Sequence, residues 1–226
     1  MSDVHDLPLS ENIPADAASV LLLAPSFLDA EESTCCGLLG LGTGSAENVL
    51  WVSYTNSPDT QFRRWREAGG RDGEVGVISV GESSRSAGTA AGVGGGRGAD
   101  AGTGSIPNGG GASTTGHASP VRAVSTPTDL TGLGIAINEY LHRWRSTEGR
   151  TVVCFDSVTA LVQYVDLETT FEFLHVVTGR VYAAGGLAHF HMNPLAHDER
   201  TVESVASLVD AVVELDEDGV VSVRSR

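Results

Sequence analysis

The sequence predicts an α/β protein: a three-layer sandwich with a mainly parallel central sheet and a C-terminal antiparallel hairpin. Three observations carry this. Short, unbroken apolar runs recur along the chain, as expected of strands buried on both faces. Amphipathic stretches of helical period separate them, and strand–helix–strand alternation builds a parallel sheet covered on both sides. The chain then ends with two strand-like runs joined by Asp218-Gly219, a hairpin turn pair.

Taken in order, Val20 to Ala24 (VLLLA) is a buried strand stopped by Pro25, and Glu31 to Leu41 suits a helix. Asn48 to Tyr54 (NVLWVSY) is the second strand. Ser57-Pro58-Asp59 opens a helix carrying Phe62, Trp65 and Arg66, which Gly69-Gly70 ends. Glu74 to Val80 is the third strand. From 82 to 119 the composition turns to Gly, Ala, Ser and Thr, with Val93 and Ile106 as the sizeable aliphatic residues. Such a segment lacks the apolar area to offset chain entropy, so it reads as a disordered insert rather than a phosphate-binding loop.

Order resumes with an extended or edge segment, Val121 to Ser125, and a helix over about 128 to 145 with Leu133, Ile137, Tyr140, Leu141 and Trp144 on one stripe. Thr151 to Phe155 (TVVCF) is the next buried strand, ending in Asp156. A short helix around Val158 to Val165 precedes a longer one from Leu167 to Ala184, with Phe171, Leu174, His175 and Thr178 as its stripe. Leu187 to His191 is a strand, Glu199 to Leu208 a helix, and Ala211 to Leu215 with Val220 to Arg224 the hairpin. The domain reading is an acidic N-terminal tail at 1–18 and one domain over 19–226, interrupted by the insert at 82–119.

Composition narrows the function. The chain has 226 residues, 41% of them hydrophobic, enough for a real core. All 14 basic residues are arginine, against 29 acidic ones, for a formal charge of -15. That balance speaks against nucleic acid and against an anionic membrane surface. Lysine-free, acidic composition resembles proteins of salt-accumulating haloarchaea. Cys35, Cys36 and Cys154 are odd in number and lie in apolar segments, which fits a reducing cytoplasm and core packing rather than a disulfide framework. The N-terminus lacks the pattern of a signal peptide, and no apolar run approaches the length of a membrane span.

Three segments together resemble the RecA and KaiC-like ATPase superfamily, specifically its small, degenerate haloarchaeal relatives. They are Val20 to Leu39, Val49 to Trp65 (VLWVSYTNSPDTQFRRW) and Thr151 to Asp166 (TVVCFDSVTALVQYVD), the last similar to a Walker B strand with its Asp-Ser-hydrophobic-Thr continuation. The tail from His189, with Asp210 and Glu214, is similar to that family's final strands. The resemblance implies a RecA-like fold and a nucleotide edge formed by Ser33, Thr34, Asp156 and Ser157.

The departures from that family bear on chemistry. A phosphate loop needs glycines whose amides wrap the phosphates, a lysine on the outer oxygens and a hydroxyl on magnesium. Ala24 to Cys36 (APSFLDAEESTCC) has neither the glycines nor the lysine, and Asp29, Glu31 and Glu32 would repel a polyphosphate. Where KaiC-like proteins carry a pair of glutamates, this chain has Thr55-Asn56, and neither side chain is a base near neutral pH. Asp156, which would hold magnesium in an active relative, reads as a cap of the following helix together with Ser157.

Other sites are weighed on the same terms. His189, His191 and His197, with Asp198, are the densest group of metal-capable side chains, and residues two apart on a strand share a face. Their spacing is not a zinc signature, so packed or solvent-facing histidines compete with a metal site and with a vestigial ligand sensor. The adjacent pair Cys35-Cys36 and the aromatic pair Phe62 and Trp65 read as core. Ser157 has no triad partners in a G-x-S-x-G setting. The sequence therefore predicts a cytoplasmic, non-catalytic domain with no catalytic residue and no cofactor, acting through a protein partner or self-assembly. The competing expectation is ATP and magnesium bound through an altered loop.

Overall fold

Continuous burial on both faces is what turns the apolar runs into strands of a single sheet. The computed structural model describes residues 13–14, 16–25, 29–40, 47–70, 73–81, 120–216 and 218–225. The expected insert at 82–119 and most of the expected N-terminal tail lie outside them. Eight strands line up in the order β4-β3-β2-β5-β6-β1-β7-β8. They are β1 Ser19–Leu23, β2 Glu47–Ser53, β3 Val75–Val80, β4 Val121–Val124, β5 Arg150–Asp156, β6 Leu187–Met192, β7 Ala211–Leu215 and β8 Val221–Ser225. Every neighbouring pair is parallel except β7 and β8. The three-layer sandwich and the terminal hairpin are thus as the sequence predicts, with Gly219 supplying the positive φ of 76° in the turn.

Helices cover the two faces unequally. One face carries α1 (Asp29–Leu38) and α2 (Pro58–Glu67). There Val20, Leu22, Val49, Trp51, Val77, Val152, Cys154 and Val213 of the sheet meet Cys35, Leu38 and Leu39, with Phe62 and Trp65 packed at the margin. The other face carries α3 (Leu130–Arg143), α4 (Val158–Leu161), α5 (Leu167–Ala183) and α6 (Glu199–Ala206). Its larger cluster is centred on Phe155 and Phe190, whose rings lie 5.9 Å apart. The predicted stripe of α3 is buried at all five positions, Leu133, Ile137, Tyr140, Leu141 and Trp144.

The stripe of α5 differs from expectation. It buries Thr170, Phe173, Leu174, Val177 and Val181, while His175 is exposed and Phe171 and Thr178 are half-buried. Phe171 and Phe173 are two residues apart and cannot share one helical face. Phe173 takes the inner place because Phe155 of β5 lies 6.3 Å from its ring.

Side-chain caps fix where the helices begin. Ser57, Asp129, Ser157, Asp166 and Asp198 each accept a backbone N–H three residues on, at the starts of α2 to α6 in turn. Asp210 does a comparable service for the sheet: its Oδ2 accepts from the backbone N–H groups of Ala18 and Ser19 and from the Ser19 hydroxyl. This joins the start of β1 to the start of β7. Among the described residues no helix is long and apolar enough to cross a membrane.

Candidate functional site

The C-terminal ends of β2 and β5 are adjacent because Ser53 pairs with Asp156. The residues that follow β2 therefore reach the carboxylate that ends β5. Thr55 Oγ1 donates to Asp156 Oδ2 at 2.8 Å, and Asn56 Nδ2 donates to the same oxygen at 2.7 Å. Asn56 is itself held by its backbone N–H on Ser53 Oγ. The expectation that Asp156 and Ser157 jointly cap the next helix is half right. Ser157 Oγ accepts from the Ala160 N–H, whereas Asp156 is engaged sideways by Thr55 and Asn56.

Ser33 and Thr34 both lie on α1, in different settings. Ser33 is exposed and donates to the Ala30 carbonyl within its own helix, while Thr34 is buried. Glu32, on the outer side of α1, pairs with Arg64 of α2 at 3.1 Å.

A second group of side chains sits beneath α1. On β6, His189 and His191 share a face with Leu187, the face that α1 covers. Cys154 of β5 pairs directly with His189. Cys35 points down from α1 onto them. Its Sγ lies 3.8 Å from Cys154 Sγ and 3.4 Å from His189 Nε2, and Cys154 Sγ lies 3.5 Å from His191 Nε2. One donor atom from each of the four residues falls within 4.8 Å of all the others. All are buried: Cys35 is 8% exposed, Cys154 1%, His189 0% and His191 6%. Glu31, one helical turn before Cys35, approaches His191 Nδ1 at 2.9 Å with Oε1.

Electrostatics follow from that packing. The hydrogen bond from Cys154 outweighs burial and, with the two imidazoles, holds the Cys35 thiol well below its usual range. Burial and the neighbouring Cys35 push Cys154 well up. Burial lowers His189. Burial also disfavours charge on His191, but Cys35 and the Glu31 carboxylate prevail and raise it to about 10. Cys36, half-buried on the far side of Cys35, is raised to about 12 by burial. Burial on this scale keeps both sulfurs out of contact with solvent.

His189 and His191 lie together on β6, as their spacing implies, and His197 is not part of their cluster. His197 lies beyond β6, half-buried, with Nε2 at 3.1 Å from Thr159 Oγ1, and its neighbour Asp198 caps α6. Burial lowers the His197 imidazole. Sequence reasoning missed Cys35 and Cys154 as partners of the histidines, taking the first as simple core. The available signal was parity: Cys154 sits in a buried strand on the same alternation as the α1-facing residues.

Comparison with known proteins gives a family. The model of a family of unknown function, DUF7504, matches residues 17–215. The chain belongs to DUF7504. That match runs from the residues before β1 to the end of β7, so it takes in both groups of side chains. No curated protein matches this DUF7504 chain. Among solved structures it is similar to the Pyrococcus horikoshii OT3 protein PH0250, with a TM-score of 0.51 and 11% identity over 92% of this chain and 86% of that one. It is also similar to the uncharacterized P. horikoshii protein PH0321, solved in complex with an unknown peptide. There the TM-score is 0.54 with 13% identity, over 92% of this chain and 84% of that one. At such identities the likeness is one of fold.

Proposed function

We propose that this DUF7504 chain is a non-catalytic RecA/KaiC-like domain that works in the cytoplasm as a protein-interaction or regulatory accessory module. The observation that carries the reading is the Asp156 cluster. At the strand ends where an active relative would place a base, Thr55 and Asn56 donate into Asp156. Neither can deprotonate a water, and the chain has no lysine for phosphate. Losing such preorganised electrostatics costs several kcal/mol of transition-state stabilisation.

Support for a protein partner comes from the opposite face. Between α3 and α5 runs a groove of about 460 Å³ lined by Leu130, Ile135, Phe173 and Val176, with Glu139 and Arg180 at its rim. Ile135 is 53% exposed and Val176 51%, an apolar pair of the kind that marks contact surfaces. PH0321, similar in fold, was solved with a peptide bound. A peptide segment of a partner protein is the occupant we assign to the groove of this chain.

Isothermal titration with Mg-ATP in multimolar potassium chloride tests the first half, because salt screens surface charge and leaves a real phosphate cradle intact. No saturable heat and no phosphate release are expected. One-to-one binding would instead make this a nucleotide-binding protein with an altered loop. A photo-crosslinking side chain at Val176 tests the second half in the native cell. It should trap a discrete protein adduct that the same group at exposed Arg200 on α6 does not. Equal background from both positions would remove the groove from the argument.

A further inference from the structure

We propose that Cys35, Cys154, His189 and His191 form a tetrahedral zinc site that clips α1 to the sheet. This departs from the expectation of no cofactor and is independent of the interaction reading.

Geometry makes the case. With Zn–S about 2.3 Å and Zn–N about 2.05 Å, a regular tetrahedron has S–S edges of about 3.8 Å and S–N edges of about 3.6 Å. Here the two sulfurs lie 3.8 Å apart and two of the four sulfur–nitrogen separations are 3.4 and 3.5 Å, with all four donor atoms within 4.8 Å of one another. Three sheet residues supply a fixed base, because Cys154 and His189 are a cross-strand pair and His191 follows on the same face. The fourth donor arrives from a helix. A closed S₂N₂ set of this shape is the donor type and number of a structural zinc site.

Burial points the same way. Two thiols and two imidazoles fill space that aliphatic side chains could fill without cost. Two thiolates and a divalent cation sum to zero charge, so the loaded site places no net charge in the core. Glu31 completes the arrangement from outside: its carboxylate at His191 Nδ1 fixes the tautomer that leaves Nε2 free to ligate. The four ligands leave no open position, so the site is structural. Its role is local, since α1 reaches the core through few side chains, Ala30, Cys35 and Leu38.

The test uses the full chain expressed with zinc and without a histidine tag. Elemental analysis should find about one zinc per chain. Replacement by cobalt(II) should give the intense visible bands and thiolate charge transfer of a tetrahedral S₂N₂ centre. X-ray absorption at the zinc edge should count two sulfurs and two nitrogens. His197→Ala, outside the cluster, should keep the metal, and Glu31→Gln should keep it with about 10- to 100-fold weaker affinity. Cys35→Ser and Cys154→Ser should lose it; if they do not fold, the cobalt spectrum of the wild-type chain decides. Metal-free folded protein, octahedral cobalt bands, or a Cys35–Cys154 disulfide in place of metal would each overturn the proposal.

Discussion

At the N-terminus of α5, Asp166 accepts from the Thr169 N–H at 2.8 Å and from its hydroxyl at 3.0 Å. Those bonds hold its carboxyl below the usual carboxylate range. The sign follows from linkage. A carboxyl whose folded pKa lies below its unfolded value of about 3.9 contributes stability that is complete above that value. The contribution is lost as pH falls through the folded pKa. Asn in this place keeps the cap geometry and cannot titrate. Thermal melts of wild type and Asp166→Asn should therefore differ most above about pH 4 and converge in stronger acid. A melting-temperature difference that stays constant across the acid range would refute the assignment. The same scale shows why the candidate site was half legible. His189 and His191 are two apart on a recognisable strand, so their shared face follows from strand geometry alone. Cys35 and Cys154 are 119 residues apart and no motif joins them. Only the pairing of β5 with β6, which sets Cys154 beside His189, brings the sulfurs to the imidazoles.

At the scale of elements, α3 and β3 meet at a contact that admits no added atom. A Cβ built on Gly76 of β3 would stand 2.5 Å from Tyr140 Cε1. The ring cannot simply retreat, because its hydroxyl donates to the Pro120 carbonyl and its centroid lies 5.1 Å from that of the Trp144 ring. Overpacking of this kind costs about 1–3 kcal/mol, so Gly76→Ala should lower the urea midpoint without changing the slope of the transition. An unchanged midpoint would mean that the contact is looser than the distances indicate. Element existence was readable because the inner strands are short apolar runs and most helices open on a capping side chain. Which side of a helix faces the sheet was readable only where one stripe stands alone. In α3 a single stripe is available and it is the buried one. In α5 two phenylalanines compete, and Phe155 on a distant strand settles the matter. Strand order is a further step away, since β1 inserts between β6 and β7 and nothing local in VLLLA marks those neighbours.

For the molecule as a whole, charge decides how the fold responds to solvent. The formal balance is -15, and arginine is the sole basic side chain besides histidine. Arg122 pairs with Glu139, Arg64 with Glu32, and Arg224 with both Glu203 and Glu214, all at the surface. Exposed pairs of this kind contribute about 0–1 kcal/mol each, and added salt weakens them. The carboxylates left in excess repel one another in the folded state, and salt weakens that too. With acidic groups twice as numerous as basic ones, relief of repulsion should exceed the loss of attraction. The melting temperature should accordingly rise with potassium chloride, most steeply at low concentration, where the screening length is shortening fastest from about 30 Å toward about 10 Å. Tetramethylammonium chloride at equal ionic strength should reproduce the early rise, because screening depends on charge and concentration rather than on the identity of the cation. A rise seen with potassium alone would point to specific ion binding among the carboxylates. A flat or falling curve in both salts would show that the few arginine pairs outweigh the net charge.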